Sequence, residues 1–153
     1  MLDRRHLLIG FGGGAVIAAL PAAAELAPPE EFRQAWAEAL GERQPKAGRI
    51  FLELPALAES GNAVPLTVRV ESPMTEQAFA RRLVLFAPFN PHPRLCTVHW
   101  TLWSGRAEFT TKIRLAKSQE VIAVAELSDG SLWQARQSVA VTIGACESLG
   151  FRN

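Results

Sequence analysis

Hydrophobic and polar residues alternate strictly in two stretches of the chain. Val64, Leu66, Val68 and Val70 take turns with Thr67, Arg69 and Glu71, and Ala107, Phe109, Thr111, Ile113 and Leu115 take turns with Glu108, Thr110, Lys112 and Arg114. A period of two sends successive side chains to opposite faces, so each stretch predicts a strand with one buried and one wet face. Apolar runs near 49–54, 81–87, 97–103, 120–127 and 132–143 predict five more strands. Ser104-Gly105 and Asp129-Gly130 fall between runs, and Asp-Gly is a strong two-residue hairpin signal. The period lengthens only at Glu30–Leu40. There Phe32, Ala35, Trp36, Ala39 and Leu40 make a helical stripe, with Glu30-Glu31 at the positive end and Gly41 as a C-cap. Seven short strands with frequent turns predict an all-β chain: an immunoglobulin-like antiparallel β-sandwich with one N-terminal helix and a short C-terminal arm.

Two strands break the one-wet-face rule. Val121, Ile122, Ala123, Val124 and Ala125 are apolar on both faces, and so are Val139, Ala140, Val141 and Ile143. A sandwich strand of that kind must be central or covered, and cover from a partner subunit is expected.

The first 24 residues follow another pattern. Arg4-Arg5 precede an apolar stretch of about 14 residues, shorter than the ~20 a membrane span needs, and Ala22-Ala23-Ala24 offers a cleavage site. This is an export signal, and the paired arginines point to the twin-arginine route and a periplasmic location. The expected organisation is 1–24 signal peptide, 25–47 linker and helix, 48–143 sandwich and 144–153 C-terminal cysteine arm. Removing Arg4, Arg5 and Asp3 from 16 basic and 15 acidic side chains leaves 14 of each. A neutral mature domain argues against a nucleic-acid partner, which favours a strongly basic face.

Conventional active-site chemistry finds little footing. The mature chain has two histidines, His92 between prolines and His99 beside Trp100, and one aspartate, Asp129, already used by its hairpin. No cysteine pair stands at zinc-ligand spacing, and no base and orienter accompany a nucleophile. No cofactor and no metal site are expected. The four tryptophans read as core or sheet-face residues. The chemistry left is that of two thiols. Cys96 lies at the entrance of a strand, and Cys146 lies three residues beyond Ile143 on a short tail. A disulfide between them is one reading in an exported protein. The other is a presented thiol, with Gly144 and Ala145 letting the backbone thread a narrow cleft.

In combination GNAVPLTVRVESPM (61–74), NPHP (90–93), TKIRLAKSQEVIAVAELSDGS (111–131) and VTIGAC (141–146) resemble SoxY, the sulfur-compound carrier family of bacterial thiosulfate oxidation. The resemblance spans about 49–146. It implies an immunoglobulin-like sandwich, a periplasmic location and tight heterodimeric pairing with a SoxZ-like subunit. It also implies a swinging arm whose cysteine, matched by Cys146, carries the sulfur compound covalently. The carrier is then no enzyme. A c-type cytochrome, a hydrolase and a molybdenum enzyme act on the loaded arm. Gly144 matches the glycine before the arm cysteine. The usual arm ends Gly-Gly-Cys-Gly-Gly, whereas this chain reads Gly144-Ala145-Cys146-Glu147-Ser148 and continues, closer to a paralogous group with Ala-Ala-Cys-Ile-Glu. Glu147 sets a negative charge beside the thiol, which disfavours the thiolate and repels anions. Leu149 and Phe151 are suited to pin the tail to an apolar groove. Two further readings stand beside the carrier: a non-catalytic immunoglobulin-like binding or assembly subunit with a structural or unused cysteine, and a thiol-redox protein in which Cys96 resolves an intermediate on Cys146.

Overall fold

The computed structural model describes residues 27–144. Residues 1–26, with the expected signal segment, and residues 145–153, with the expected arm residues Ala145, Cys146 and Glu147, lie outside the described residues. Helix α1 (Glu30–Leu40) leads into nine strands: β1 (Lys46–Ala47), β2 (Ile50–Glu53), β3 (Leu57–Ser60), β4 (Val64–Val70), β5 (Ala80–Phe86), β6 (Arg94–His99), β7 (Glu108–Ile113), β8 (Gln119–Leu127) and β9 (Leu132–Ile143). The larger sheet runs β1-β9-β8-β5-β6, with β3 joining β9 further along. The smaller one runs β2-β4-β7. Alternate residues of β4, β5 and β8, among them Val64, Leu66, Leu83, Leu85, Val121 and Ala123, fill the space between the sheets. The expected all-β sandwich is the observed one.

Its details differ from the periodic reading in four places. First, β1 and β3 have only two and four residues, too few to show a period, and both pair with β9 in parallel, so the larger sheet is not wholly antiparallel. Second, the strand expected at 97–103 is β6 at Arg94–His99, followed by a 3-10 turn at Leu102–Ser104. The Thr101 N–H donates to Ser104 Oγ and Gly105 stands at φ 69°, closing the turn where the apolar run alone suggests extension. Third, Trp103 on that turn is 96% exposed, so it is neither core nor sheet-face, whereas Trp100 beside it is buried. Fourth, the Asp129-Gly130 hairpin uses three residues rather than two. Gly130 at φ 80° donates to Leu127 O, and Leu127 donates to Ser131 O.

Helix α1 resolves why β8 is apolar on both faces. Val121, Ala123 and Ala125 face the other sheet. Ile122 and Val124 face outward, where Phe32, Ala39 and Leu40 of α1 bury them together with Val84, Phe86 and Leu132. The phenyl ring of Phe86 meets Phe32 edge-on at 5.8 Å and Trp36 at 5.2 Å. The chain thus covers the outer face of β8 itself, and the apolar residues of that strand need no other cover. Of the two strands apolar on both faces, β9 keeps apolar residues open to solvent at its end, with Ala140 and Ile143 exposed.

The C-terminal end of α1 is fixed by charge. Arg82 of β5 donates to Ala39 O at 3.0 Å and to Glu126 at 2.7 Å, while Arg43 donates to Leu40 O at 3.2 Å and reaches Glu126 at 3.4 Å. Both arginines thus serve helix carbonyls that have no partner within the helix. Partial burial pushes the Glu126 carboxyl up, but the hydrogen bonds and charges of Arg82 and Arg43 outweigh it and hold the group below the usual carboxylate range. A carboxyl lowered in the folded state adds stability above its unfolded range and loses it as pH falls through the folded value. We expect Glu126→Gln to cost about 1.5–3 kcal/mol at neutral pH, the size of a hydrogen bond to a charged group. The gap from wild type should close as pH drops below ~4. Urea unfolding at pH 7 and pH 3 measures both, and an equal gap at both pH values would refute it.

Candidate functional site

The end of β9 is the part of the fold that bears on the arm. Its pairing with β8 stops at Val139↔Gln119. Residues 140–143 run on, held on one side by β3 through Leu57↔Ala140, Ala58↔Val141 and Ser60↔Ile143. On the other side Ser118 replaces a strand. Its hydroxyl accepts from the Val141 N–H at 2.8 Å and donates to Val141 O at 3.2 Å. Gly61 N–H closes the strand end on Ile143 O at 2.7 Å, and Leu115 N–H bonds Gly61 O at 2.8 Å. The strand is anchored up to its last residue.

Gly144 then packs, buried, on the turn at Ala116-Lys117. A Cβ at this position would collide with the Ala116 carbonyl oxygen and lie 3.0 Å from its carbon. Gly144 is not among the residues with positive φ, so what demands glycine is space, not conformation. Gly144→Ala must push the strand end off the 115–118 turn. As overpacking, it should cost about 1–3 kcal/mol. The Val141 and Gly61 amides should exchange faster with solvent, because their bonds to Ser118 Oγ and Ile143 O hold the strand end. Denaturant unfolding with hydrogen exchange tests this, and unchanged protection at both amides would refute it.

The turn that receives Gly144 is itself pinned by a polar pair that the periodic reading passes over. Gln119 begins β8 on the same face as Val121 and is only 7% exposed. Its Oε1 accepts from the Phe89 N–H at 2.8 Å, and its Nε2 donates to Asn90 Oδ1 at 2.8 Å. Asn90 in turn accepts from the Ala116 N–H at 2.9 Å and donates to Arg114 O at 2.8 Å. The Asn-Pro-His-Pro motif thus holds the floor of the arm root: its asparagine makes the bonds, and the Ala87 N–H bonded to Pro93 O closes the loop. A polar side chain at a core position of a period-two run was the available signal for Gln119.

Beside this root the sandwich is open. β6 and β7 are the outer strands of their sheets, and a cleft of about 540 Å³ lies between them. Leu95, Cys96, Phe109 and Ile113 supply its apolar surface. His92, Arg94, Lys112 and Arg114 supply basic groups, and Ala116 ends it at the arm root. No acidic residue lines it. Cys96 is half-buried, burial pushes its thiol up, and it has no disulfide among the described residues. His99 is at the far end of β6, in a second hollow of about 780 Å³ with Arg81 and Trp103, so His92 and His99 do not meet. Of the expected site residues, the structure places Gly144 at the root; Ala145, Cys146 and Glu147 lie outside the described residues. Chain geometry bounds the thiol all the same: two residues extend at most ~7 Å, so the Cys146 backbone starts that close to Gly144. The described residues hold no group of three or more His, Cys, Asp or Glu placed to bind a metal ion.

A family model described as sulfur oxidation protein SoxY matches residues 36–146, a span that includes the arm cysteine. Among solved structures, the sulfur carrier protein SoxY from Chlorobium limicola f thiosulfatophilum is 27% identical with a TM-score of 0.61, over 74% of this chain and 97% of that one. A superoxide reductase (neelaredoxin) from Ignicoccus hospitalis is 23% identical with a TM-score of 0.55, over 61% of this chain and 80% of that one, a likeness of fold alone. No curated protein matches the chain.

Proposed function

This chain belongs to the SoxY family of sulfur oxidation proteins, and from that premise we propose that it is a periplasmic carrier holding a sulfur compound covalently on Cys146. The observation that carries the reading is the arm root. β9 is hydrogen-bonded on the β3 side to its last residue and on the β8 side, through Ser118, as far as Val141, Gly144 is wedged on Ala116, and the sequence places a thiol two residues further on. A carrier needs a fixed base and a narrow end, because its cargo must enter the active sites of other proteins. Bulk near the thiol would keep it out, and a loose base would misplace it. The 27% identity with a solved sulfur carrier along 97% of that protein supports the same role.

The chain itself is then a substrate-bearing subunit rather than a catalyst. Its family places it among sulfur-oxidation partners, a SoxZ-type subunit in general among them. A c-type cytochrome that loads the arm, a hydrolase that removes sulfate and a molybdenum enzyme are the partners proposed for this chain. Arg4-Arg5 and the apolar stretch after them support export by the twin-arginine route. Intact mass of the protein purified from its native periplasm, with and without reductant, tests the reading. A reductant-sensitive increment that maps to Cys146 is expected. A loss of two hydrogens with no adduct would instead make the two cysteines a structural disulfide.

A further inference from the structure

We propose that the cleft between β6 and β7 binds a small amphiphilic anion, a molecule with an apolar body and one anionic head group. The inference goes beyond the carrier reading and does not depend on it. It starts from the strand pairing. Phe109, Thr111 and Ile113 stand opposite Val68, Leu66 and Val64, which are buried, so this face of β7 looks into the space between the sheets. Cys96 stands opposite the buried Leu85 and looks into the same space from β6. On β4 and β8 the positions facing that space are fully covered. Here both strands are the last of their sheets, and Cys96, Phe109 and Thr111 stay half-buried. The core is thus open to solvent along this edge. The opening of about 540 Å³ lies within the ~300–1,000 Å³ of small-molecule pockets.

The rim sets the charge of the ligand. His92, Arg94, Lys112 and Arg114 line it, and no acidic residue does. Arg94 is shared with Glu38 of α1 at 3.6 Å. Lys112 and Arg114 are exposed and form no ion pair with a described residue. Two free cations beside an apolar opening match a negative head on an apolar body. Seating the body against Leu95, Phe109 and Ile113 takes apolar surface of both partners out of water. The head stays at the wet rim, where its desolvation costs little. A neutral apolar ligand forgoes the charge, and a bare inorganic anion forgoes the burial. Ala116 lines the cleft and also receives Gly144, so a bound ligand borders the arm root.

Cys96 reports on occupancy because it lies in the cleft wall. The chain has two cysteines, and in the full-length Cys146→Ser protein Cys96 is the single thiol. Its alkylation by N-ethylmaleimide is followed by intact mass, with octane-1-sulfonate, octan-1-ol or sodium sulfate added. At about ten times its half-protecting concentration, octane-1-sulfonate should slow the reaction about tenfold, since a covered thiol does not react. Octan-1-ol and sulfate at that concentration should slow it less than about twofold. Adding Lys112→Gln with Arg114→Gln, both at exposed positions, should raise the half-protecting concentration about fivefold, the worth of two exposed charge contacts. No protection by octane-1-sulfonate would overturn the proposal. So would equal protection by octan-1-ol, which would leave a crevice blind to charge, or by sulfate, which would leave a patch that reads charge alone. An unchanged half-protecting concentration in the double glutamine variant would likewise overturn it, because the head group would then lie elsewhere.

Discussion

Cys146→Ser is expected to remove every reductant-sensitive mass increment from the purified protein and to leave its unfolding midpoint where it was. The two halves of that result test different things. The first follows from chemistry: a serine hydroxyl cannot hold a sulfur compound through a bond that thiols reverse. The second follows from the architecture. The strand end is held by Ser118, Gly61 and the pairing with β3, all upstream of the cysteine. If Cys146 were instead the partner of Cys96, its loss would open a large covalent loop and cost about 2–5 kcal/mol, as removal of a native disulfide does in a small exported domain. That is several degrees in midpoint for a domain of this size. Cys96→Ser separates the cases further. On the carrier reading it leaves loading intact and changes stability only slightly, because the thiol is half-buried beside an open cleft. Matching losses of stability in the two mutants, with no adduct on wild type, would sink the carrier and leave a staple.

Much of this architecture could be read before the coordinates, wherever a local rule and the tertiary environment agree. β4 shows it best: Val64, Leu66, Val68 and Val70 alternate in the sequence and are all buried, because β4 is the central strand of its sheet. β7 has the same alternation, yet Phe109 and Thr111 stay half-exposed. It is an edge strand, and no periodicity tells an edge from a centre. β1 and β3 were invisible because they exist only through pairing with a strand some eighty residues away. Trp103 was misplaced because composition says that tryptophan is usually covered, while the Thr101–Ser104 turn that exposes it is fixed by side-chain capping. At the arm, the sequence pointed to Gly144 as a small residue that lets the backbone thread a narrow cleft in another protein. The structure gives a different reason, close approach to Ala116, which depends on a turn held by Asn90 and Gln119.

The covering of β8 shows most clearly how local and tertiary information differ, and it supports the second large expectation. The apolar stripe of α1 was legible, and so was the doubly apolar β8, but nothing local said that the one was the answer to the other. Phe32→Ala should cost the isolated chain about 3–5 kcal/mol, the range for truncating a buried phenylalanine. It removes the ring that meets Phe86 edge-on and Trp36 at 5.6 Å, and it opens the layer over Val84, Ile122 and Val124. A domain of this kind has a total stability of about 5–15 kcal/mol, so the change consumes a large part of it. Trp36→Ala should cost less, because Trp36 is half-buried and its ring lies partly in solvent. The measurement is urea unfolding of the isolated chain, with no other subunit present. If a partner rather than α1 covered this face, the isolated chain would scarcely notice the loss of Phe32, and the full effect would appear only in the complex. A cost below about 1 kcal/mol in the isolated chain, the level of an ordinary surface change, would therefore detach α1 from the sheet. It would return β8 to the list of surfaces waiting for another subunit.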